Sequence, residues 1–384
     1  MAGPYDGVTI LDLTYDLGRY ATRLFADLGA KVVRVEPPEG AMDRIAAISD
    51  DDAGAKYEFE FFNASKSAIS LDLCTAEGLE TFRELAVGAD AVVLERGGPL
   101  YDKIEWLRDA SPRTVVASVS PFGRTGPLAD APASDLVLQA AGGIAWLSGR
   151  VEDAPLRLPG SQATMVAGVY LAVAMSVALL DTEASGSGHV IDLSAQEAIA
   201  HSLQNSIQVY DFERRVSMRG GEGTRDASEN VLACKDGHIF LAAPRTLGVS
   251  WNSLMSWIAE VGHPASQEFE QERWADRKWR LTREAKDLFR QTIEPFLINF
   301  TKAEITQQGL KRKIVLAPAS TLQDVLDDPQ LAYTGYFKRL DTSALLGTGI
   351  TMPGAPYRFS QDMWSVAAAP AIDKRSFGAE EIQQ

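Results

Sequence analysis

The sequence predicts an α/β protein whose larger part is a doubly wound parallel sheet, followed by a smaller α+β region. Short apolar runs alternate with amphipathic segments over the first 120 residues. From Glu229 the character changes to a CKDGHIFLAA hairpin and segments rich in charge and in Trp251, Trp257, Trp274 and Trp279. A chain of 384 residues, 46% hydrophobic and 23% charged, is long enough for both parts to bury cores.

The first strand is Val8 to Leu13. Ala21, Leu24, Phe25 and Leu28 then share one helical face, and Lys31 to Val35 returns as a strand, giving a βαβ unit. It lacks GxGxxG, carrying Tyr15-Asp16-Leu17-Gly18-Arg19 instead, which argues against a dinucleotide site. Ala68 to Leu73 reads as a strand, Thr75 as the N-cap of a helix closed by Gly88, and Ala91 to Glu95 and Thr114 to Val119 as two further strands. In such a sheet ligands sit beyond the carboxyl ends of the strands, here Thr14 to Arg19, Glu36 to Arg44 and Glu95 to Leu100.

A turn-rich loop, Ser120 to Pro132, leads to a helix from Asp135. The run from Ala163 to Leu180 holds no charge, but five alanines, Thr164, Gly168 and Ser176 make it only mildly apolar, so it is expected as a helix buried on all sides. After a linker at 184–188 come a strand from His189 to Leu193 and one long helix capped by Ser194 and reaching DFERR. The glycine-rich patch Arg219 to Thr224 marks a boundary, Ile314 to Leu345 reads as loop, and TMPGAPYRFS as an edge strand.

A net charge of -15 makes the overall field repel nucleic acid and anionic membranes. Cys74 and Cys234 lack CxxC spacing, and His189, His201, His238 and His263 form neither HxH nor HExxH. No disulfide framework and no metal site are expected, and a reducing cytoplasm is. MAGPYDGVTILDL has no basic start and is not expected to be a signal peptide.

Six segments in order resemble the family III CoA-transferases: Leu11 to Gly40, Asn63 to Leu73, Ser118 to Asp135, Gly186 to Ser194, Leu232 to Ala242 and Ala319 to Phe337. The resemblance implies a Rossmann-like large domain built from both chain ends (1–222 and 319–384), an inserted small α+β domain (223–318), and an interlocked dimer. It implies coenzyme A or acyl-CoA as substrate, bound by strand-end residues: Asp16, Leu17 and Gly18; Arg34 and Arg44; Leu71 and Leu73; Glu95, Arg96 and Arg124. It also implies a nucleophilic aspartate that attacks the thioester to give a mixed anhydride and then an enzyme thioester.

That aspartate is missing. With Gly168 matching the family glycine, Thr164 stands at its position, and no Asp or Glu occurs from Ala154 to Leu180. A threonine ester is not an activated anhydride, so no catalytic residue is expected here. The racemase pair is lost too, with Ser134 and Thr164 at its positions. Glu95 is expected to repel a phosphate-bearing ligand, with Arg96 offsetting it. The expectation is a structural subunit of a heteromeric CoA-transferase. Its partner would be a paralogous subunit bearing the aspartate, or a second copy, and its other substrate a small carboxylic acid. The alternatives are an acyl-CoA hydratase, lyase or isomerase using Asp16, Glu95 or Asp135, and a CoA-binding scaffold.

Overall fold

The computed structural model describes residues 3–49, 53–150, 152–203, 205–219, 225–341, 343 and 345–371. They fall into two compact units. One takes the residues within Met1–Gly149, Asp153–Val216 and Ala332–Gln384, the other those within Arg150–Glu152 and Ser217–Leu331.

The larger unit is built on six parallel strands: β1 (Thr9–Leu13), β2 (Lys31–Glu36), β3 (Ser67–Ser70), β4 (Ala91–Glu95), β5 (Val115–Ser120) and β6 (Val190–Ser194). Their order is β3-β2-β1-β4-β5-β6. Strand order reverses between β1 and β4, where Leu13 faces Leu94, and that switch point opens a crevice at the carboxyl ends. β1, β4 and β5 are buried almost throughout, so they are apolar runs rather than alternating ones. α1 (Arg19–Asp27) and α8 (Gln162–Ser185) cover one face, with Phe25, Leu171 and Met175 in the core, and α4 (Ala76–Val87) covers the other with Phe82 and Leu85.

Several local expectations hold. Thr75 caps α4 by accepting the Gly78 N–H at 3.0 Å, and Ser194 caps α9 (Ala195–Ser202) by accepting that of Glu197 at 3.3 Å. Others are corrected. The helix after Ser194 is two, α9 ending at Ser202 and α10 spanning Asn205–Glu213. β3 ends at Ser70, so Leu71 and Leu73 lie in the loop beyond it. Two helices were not foreseen before β3: α2 (Met42–Ser49) and α3 (Ala53–Phe62). α5 (Ile104–Ala110) follows β4, and α6 (Asp135–Ala141) and α7 (Ile144–Leu147) precede α8.

α8 is the largest correction. It buries one face only: Ala163, Thr164, Ala167, Gly168, Leu171, Met175, Ala178 and Thr182 recur at three- and four-residue spacing. Val169, Val173, Val177 and Leu180 are exposed. Gly168 is needed by the close approach of α1, because a Cβ there would come within 2.7 Å of the Tyr20 Cβ. The helix also runs through Ser185, into the expected linker, before Gly186 ends it in the left-handed region at φ +75°.

In the smaller unit β7 (Asn230–Cys234), β8 (Gly237–Ala242) and β9 (Val315–Pro318) form an antiparallel sheet in the order β7-β8-β9. α11 (Gly248–Glu260), α12 (Ala265–Phe269), α13 (Arg283–Leu297) and α14 (Lys302–Arg312), with the short 3-10 turn Glu272–Ala275, bring Trp251, Trp257, Trp274, Phe289 and Phe296 into one core. The stretch expected as loop from Ile314 holds β9, α15 (Leu322–Leu326) and α16 (Pro329–Thr334). The smaller unit extends past the expected boundary at 318 to Leu331, with Asp324 pairing with Lys302. The expected edge strand is β11 (Ile350–Pro353), but its partner is β10 (Phe337–Leu340) in a separate two-stranded sheet.

Candidate functional site

β1 delivers Thr14, whose N–H and hydroxyl both donate to Asp12 Oδ1 at 3.0 and 2.6 Å. The chain then wraps around Glu95 at the end of β4. The Tyr15 and Asp16 N–H groups donate to its Oε2 at 2.9 and 3.0 Å, and that of Leu17 to its Oε1 at 2.9 Å. Glu95 therefore does not confront a ligand as expected. It is 3% exposed and holds the β1–α1 loop from beneath. Burial, with the charge of Asp16 adding to it, pushes its carboxyl up to about 7 against the pull of the three N–H donors. The Tyr15 hydroxyl donates to the Arg96 carbonyl at 2.6 Å, and Gly97 beside it takes φ +88°, where a Cβ would come within 2.7 Å of that hydroxyl.

Above this loop lies a crevice of about 350 Å³ at the ends of β1 to β4. Leu71 and Leu73 line it, as do Tyr15, Pro37, Met42 and Ile45. Its wall is largely apolar, suited to a flat base or an aliphatic arm held by backbone groups. Tyr15 and Met42 fall within the expected strand-end stretches without having been singled out, and Ile45 was missed from sequence. The spacing of Met42, Ile45 and Ile48, exposed on one face of α2, was the available signal.

The expected phosphate ligands Arg34 and Arg44 are corrected. They are 1% and 3% exposed, Arg34 holding Glu36 at 3.1 Å and Asp43 at 2.9 Å, and Arg44 holding Glu36 at 2.7 Å. Asn63 accepts from Arg34, and the Phe59 ring lies under both guanidinium groups. Lys66 pairs with Asp12 at 2.9 Å, and burial draws its ammonium down to about 8. These side chains neutralise one another. Arg96 turns to Asp130 at 3.6 Å, and Arg124 donates to the Tyr101 carbonyl at 2.6 Å while lying over that ring. Neither lines the crevice.

Thr164 is the third residue of α8 and 1% exposed. Its hydroxyl donates to Asp16 Oδ1 at 3.0 Å. The first turn of α8 is capped by Asp135, which accepts the Ala163 N–H at 2.7 Å, while the Ser161 hydroxyl donates to Glu58 at 2.8 Å and Arg19 pairs with Glu58 at 2.6 Å. Burial raises the Asp16 carboxyl against the opposing pull of Arg19. The structure thus brings Asp16, Leu17, Gly18, Glu95 and Thr164 together, with Leu71 and Leu73 in the crevice. Among the described residues no group of three or more His, Cys, Asp or Glu side chains is placed to hold a metal ion.

The profile of CoA-transferase family III matches residues 5–376. The chain belongs to this family. The succinyl-CoA:(R)-benzylsuccinate CoA-transferase subunit BbsE of Thauera aromatica is 33% identical to this family III chain over 98% of its length and 93% of the relative's. The succinate–glutarate CoA-transferase of Agrobacterium fabrum is 27% identical over 93% and 90%. A crystal structure of a CaiB/BaiF family protein from Brucella suis superposes with a TM-score of 0.81, covering 97% of each chain at 24% identity, a likeness of fold. Membership identifies the chain as a family III CoA-transferase, a family whose substrates are CoA thioesters.

Proposed function

We propose that this chain is the non-catalytic subunit of a heteromeric enzyme that moves CoA between carboxylic acids, working with a paralogous subunit that carries the acyl-accepting aspartate. The observation that carries this reading is Thr164, buried at the start of α8 and hydrogen-bonded to Asp16, in a segment without a carboxylate. A hydroxyl there would form an ordinary ester, which CoA thiolate does not displace as it does an anhydride. The crevice beyond β1 to β4 is the proposed seat of CoA, with Leu71, Leu73 and Tyr15 lining it.

Assembly is supported by the exposed apolar stripe Val169, Val173, Val177 and Leu180 on α8, which continues in kind with Ile207 and Phe212 on α10. α8 is long and apolar enough to cross a membrane, yet its small-residue face is buried against α1 and the sheet, which favours a soluble, cytoplasmic assembly. The relatives' names include a subunit of one CoA-transferase and alpha and beta subunits of another, succinyl-CoA–L-malate CoA-transferase from Chloroflexus aurantiacus, which supports an assembly of unlike chains.

A second reading rests on the same contact. Asp16 places a carboxylate 3.0 Å from the Thr164 hydroxyl, so the chain would itself act on an acyl-CoA through Asp16. The two readings separate in one assay: CoA transfer from succinyl-CoA to a carboxylic acid, measured with the chain alone and with its paralogue added. The first expects turnover only in the mixture. Turnover by the chain alone that is lost in Asp16→Asn favours the second.

A further inference from the structure

After β11 the described chain forms no helix or strand, yet part of it is tied down at several points. The Ser365 N–H donates to the Asp27 carbonyl at 2.9 Å, the Ala367 carbonyl accepts the Ser65 N–H at 3.1 Å, and the Ala367 N–H donates to Ser65 Oγ at 2.9 Å. Two residues on, the Ala369 N–H donates to Glu60 Oε2 at 3.3 Å, and the Pro370 carbonyl accepts from Arg44 Nη1 at 3.0 Å. Ser365–Pro370 is thus a strap laid across the end of α1, the turn after α3, and α2. Ser65 takes φ +64°, a left-handed conformation costly for a residue with a side chain, which its bonds to the strap and to Asp27 maintain.

α2 is the element that depends on this strap. It has eight residues, too few to be stable by itself, and it buries only Arg44 and Ala47. Both lead to the strap. Arg44 directs Nη1 to the Pro370 carbonyl while Nε and Nη2 grip Glu36, each at 2.7 Å, and Ala47 shares a small apolar cluster with Ala369 and Phe59. On its exposed side α2 presents Met42 and Ile45 to the crevice. One short helix therefore has the strap behind it and the crevice in front. We propose that Ser365–Pro370 holds α2 in the position that forms the crevice wall, so that undocking the strap loosens the wall and weakens ligand binding. Only the second half of this proposal rests on the crevice as the seat of CoA.

The test uses the full-length chain carrying Ala369→Glu, which sets a carboxylate among apolar neighbours and beside Glu60 and so expels the strap. Ala367→Glu is the comparison, because Ala367 is exposed. Where the single change leaves the Ser365, Ala367 and Ala369 amides protected, Ser365→Pro is added to remove the donor to Asp27. Hydrogen exchange should show the α2 amides opening about tenfold faster in the undocked variant, with β1, β4 and β5 unchanged. CoA affinity, read by calorimetric titration, should fall about tenfold, as it does when the competent population drops to about one tenth. Ala367→Glu should match the unaltered chain in both measurements. Unchanged α2 exchange with the strap undocked, acceleration spread evenly through the sheet strands, or undiminished CoA affinity would each overturn the proposal. If the unaltered chain binds no CoA, the crevice loses its assigned ligand, and α2 exchange alone decides about the strap.

Discussion

At the carboxyl end of the sheet two neighbouring regions use polarity in opposite ways. The crevice beyond β1 to β4 is an open space with apolar walls and few charges. Beside it, Asp12, Arg34, Glu36, Asp43, Arg44, Asn63 and Lys66 form a buried network in which the charges meet inside the protein. The charged residues that looked most suited to an anionic ligand thus support the floor. The proposed recognition surface is the crevice, walled by apolar side chains. A buried cation paired twice is strongly held and unavailable, since releasing it to a ligand would strand its carboxylates.

The comparison can be broken most readily at Arg34. Arg34→Met should cost about 3–5 kcal/mol in denaturant unfolding, the usual result of removing one partner from a buried pair. A loss below about 1 kcal/mol together with weakened CoA binding would move Arg34 from the floor to the ligand site.

Glu95 gives the next largest effect. Glu95→Ala strips the acceptor from three backbone N–H groups and should cost about 2–3 kcal/mol near pH 5.5. Because its folded-state value near 7 lies above the ordinary 4.5, the folded state holds more protons between them. Stability should therefore fall as pH rises from about 4.5 to 7. Glu95→Gln should flatten that part of the pH profile. Asp27, raised to about 6 chiefly by burial, contributes in the same sense and should leave a residual slope in the variant.

Met42→Asp tests the crevice itself. Met42 is 67% exposed and lines it, so stability should stay within about 0.5 kcal/mol while CoA affinity, read by titration, drops about tenfold. The smallest effect belongs to Arg96→Ala. Its partner Asp130 is fully exposed and screened by solvent, so neither the thermal midpoint nor CoA affinity should change measurably.

Much of the larger unit was legible because parallel strands buried on both faces are continuous apolar runs, and because Thr75, Gly88 and Ser194 punctuate them by capping. The start of α8 near Ala163 was legible as well. The orientation of charge was not. Arg34 and Arg44 read alike whether they face a ligand or a carboxylate, and only Glu36 at the end of β2 and Asp43 in the first turn of α2 decide it. Glu95 is similar: its three donors lie 78 to 80 residues away in sequence. For α8, composition set its apolarity but left open which face is covered within this chain, since Val169 and Ala167 are both apolar.

The central claim, that Thr164 leaves this chain unable to carry the acyl group, is tested most directly by intact-mass analysis after mixing the chain and its paralogue with succinyl-CoA and quenching with hydroxylamine. The account predicts a hydroxamate on the paralogous subunit and an unmodified mass for this chain. A hydroxamate on this chain, at Asp16 or any other carboxylate, would contradict it.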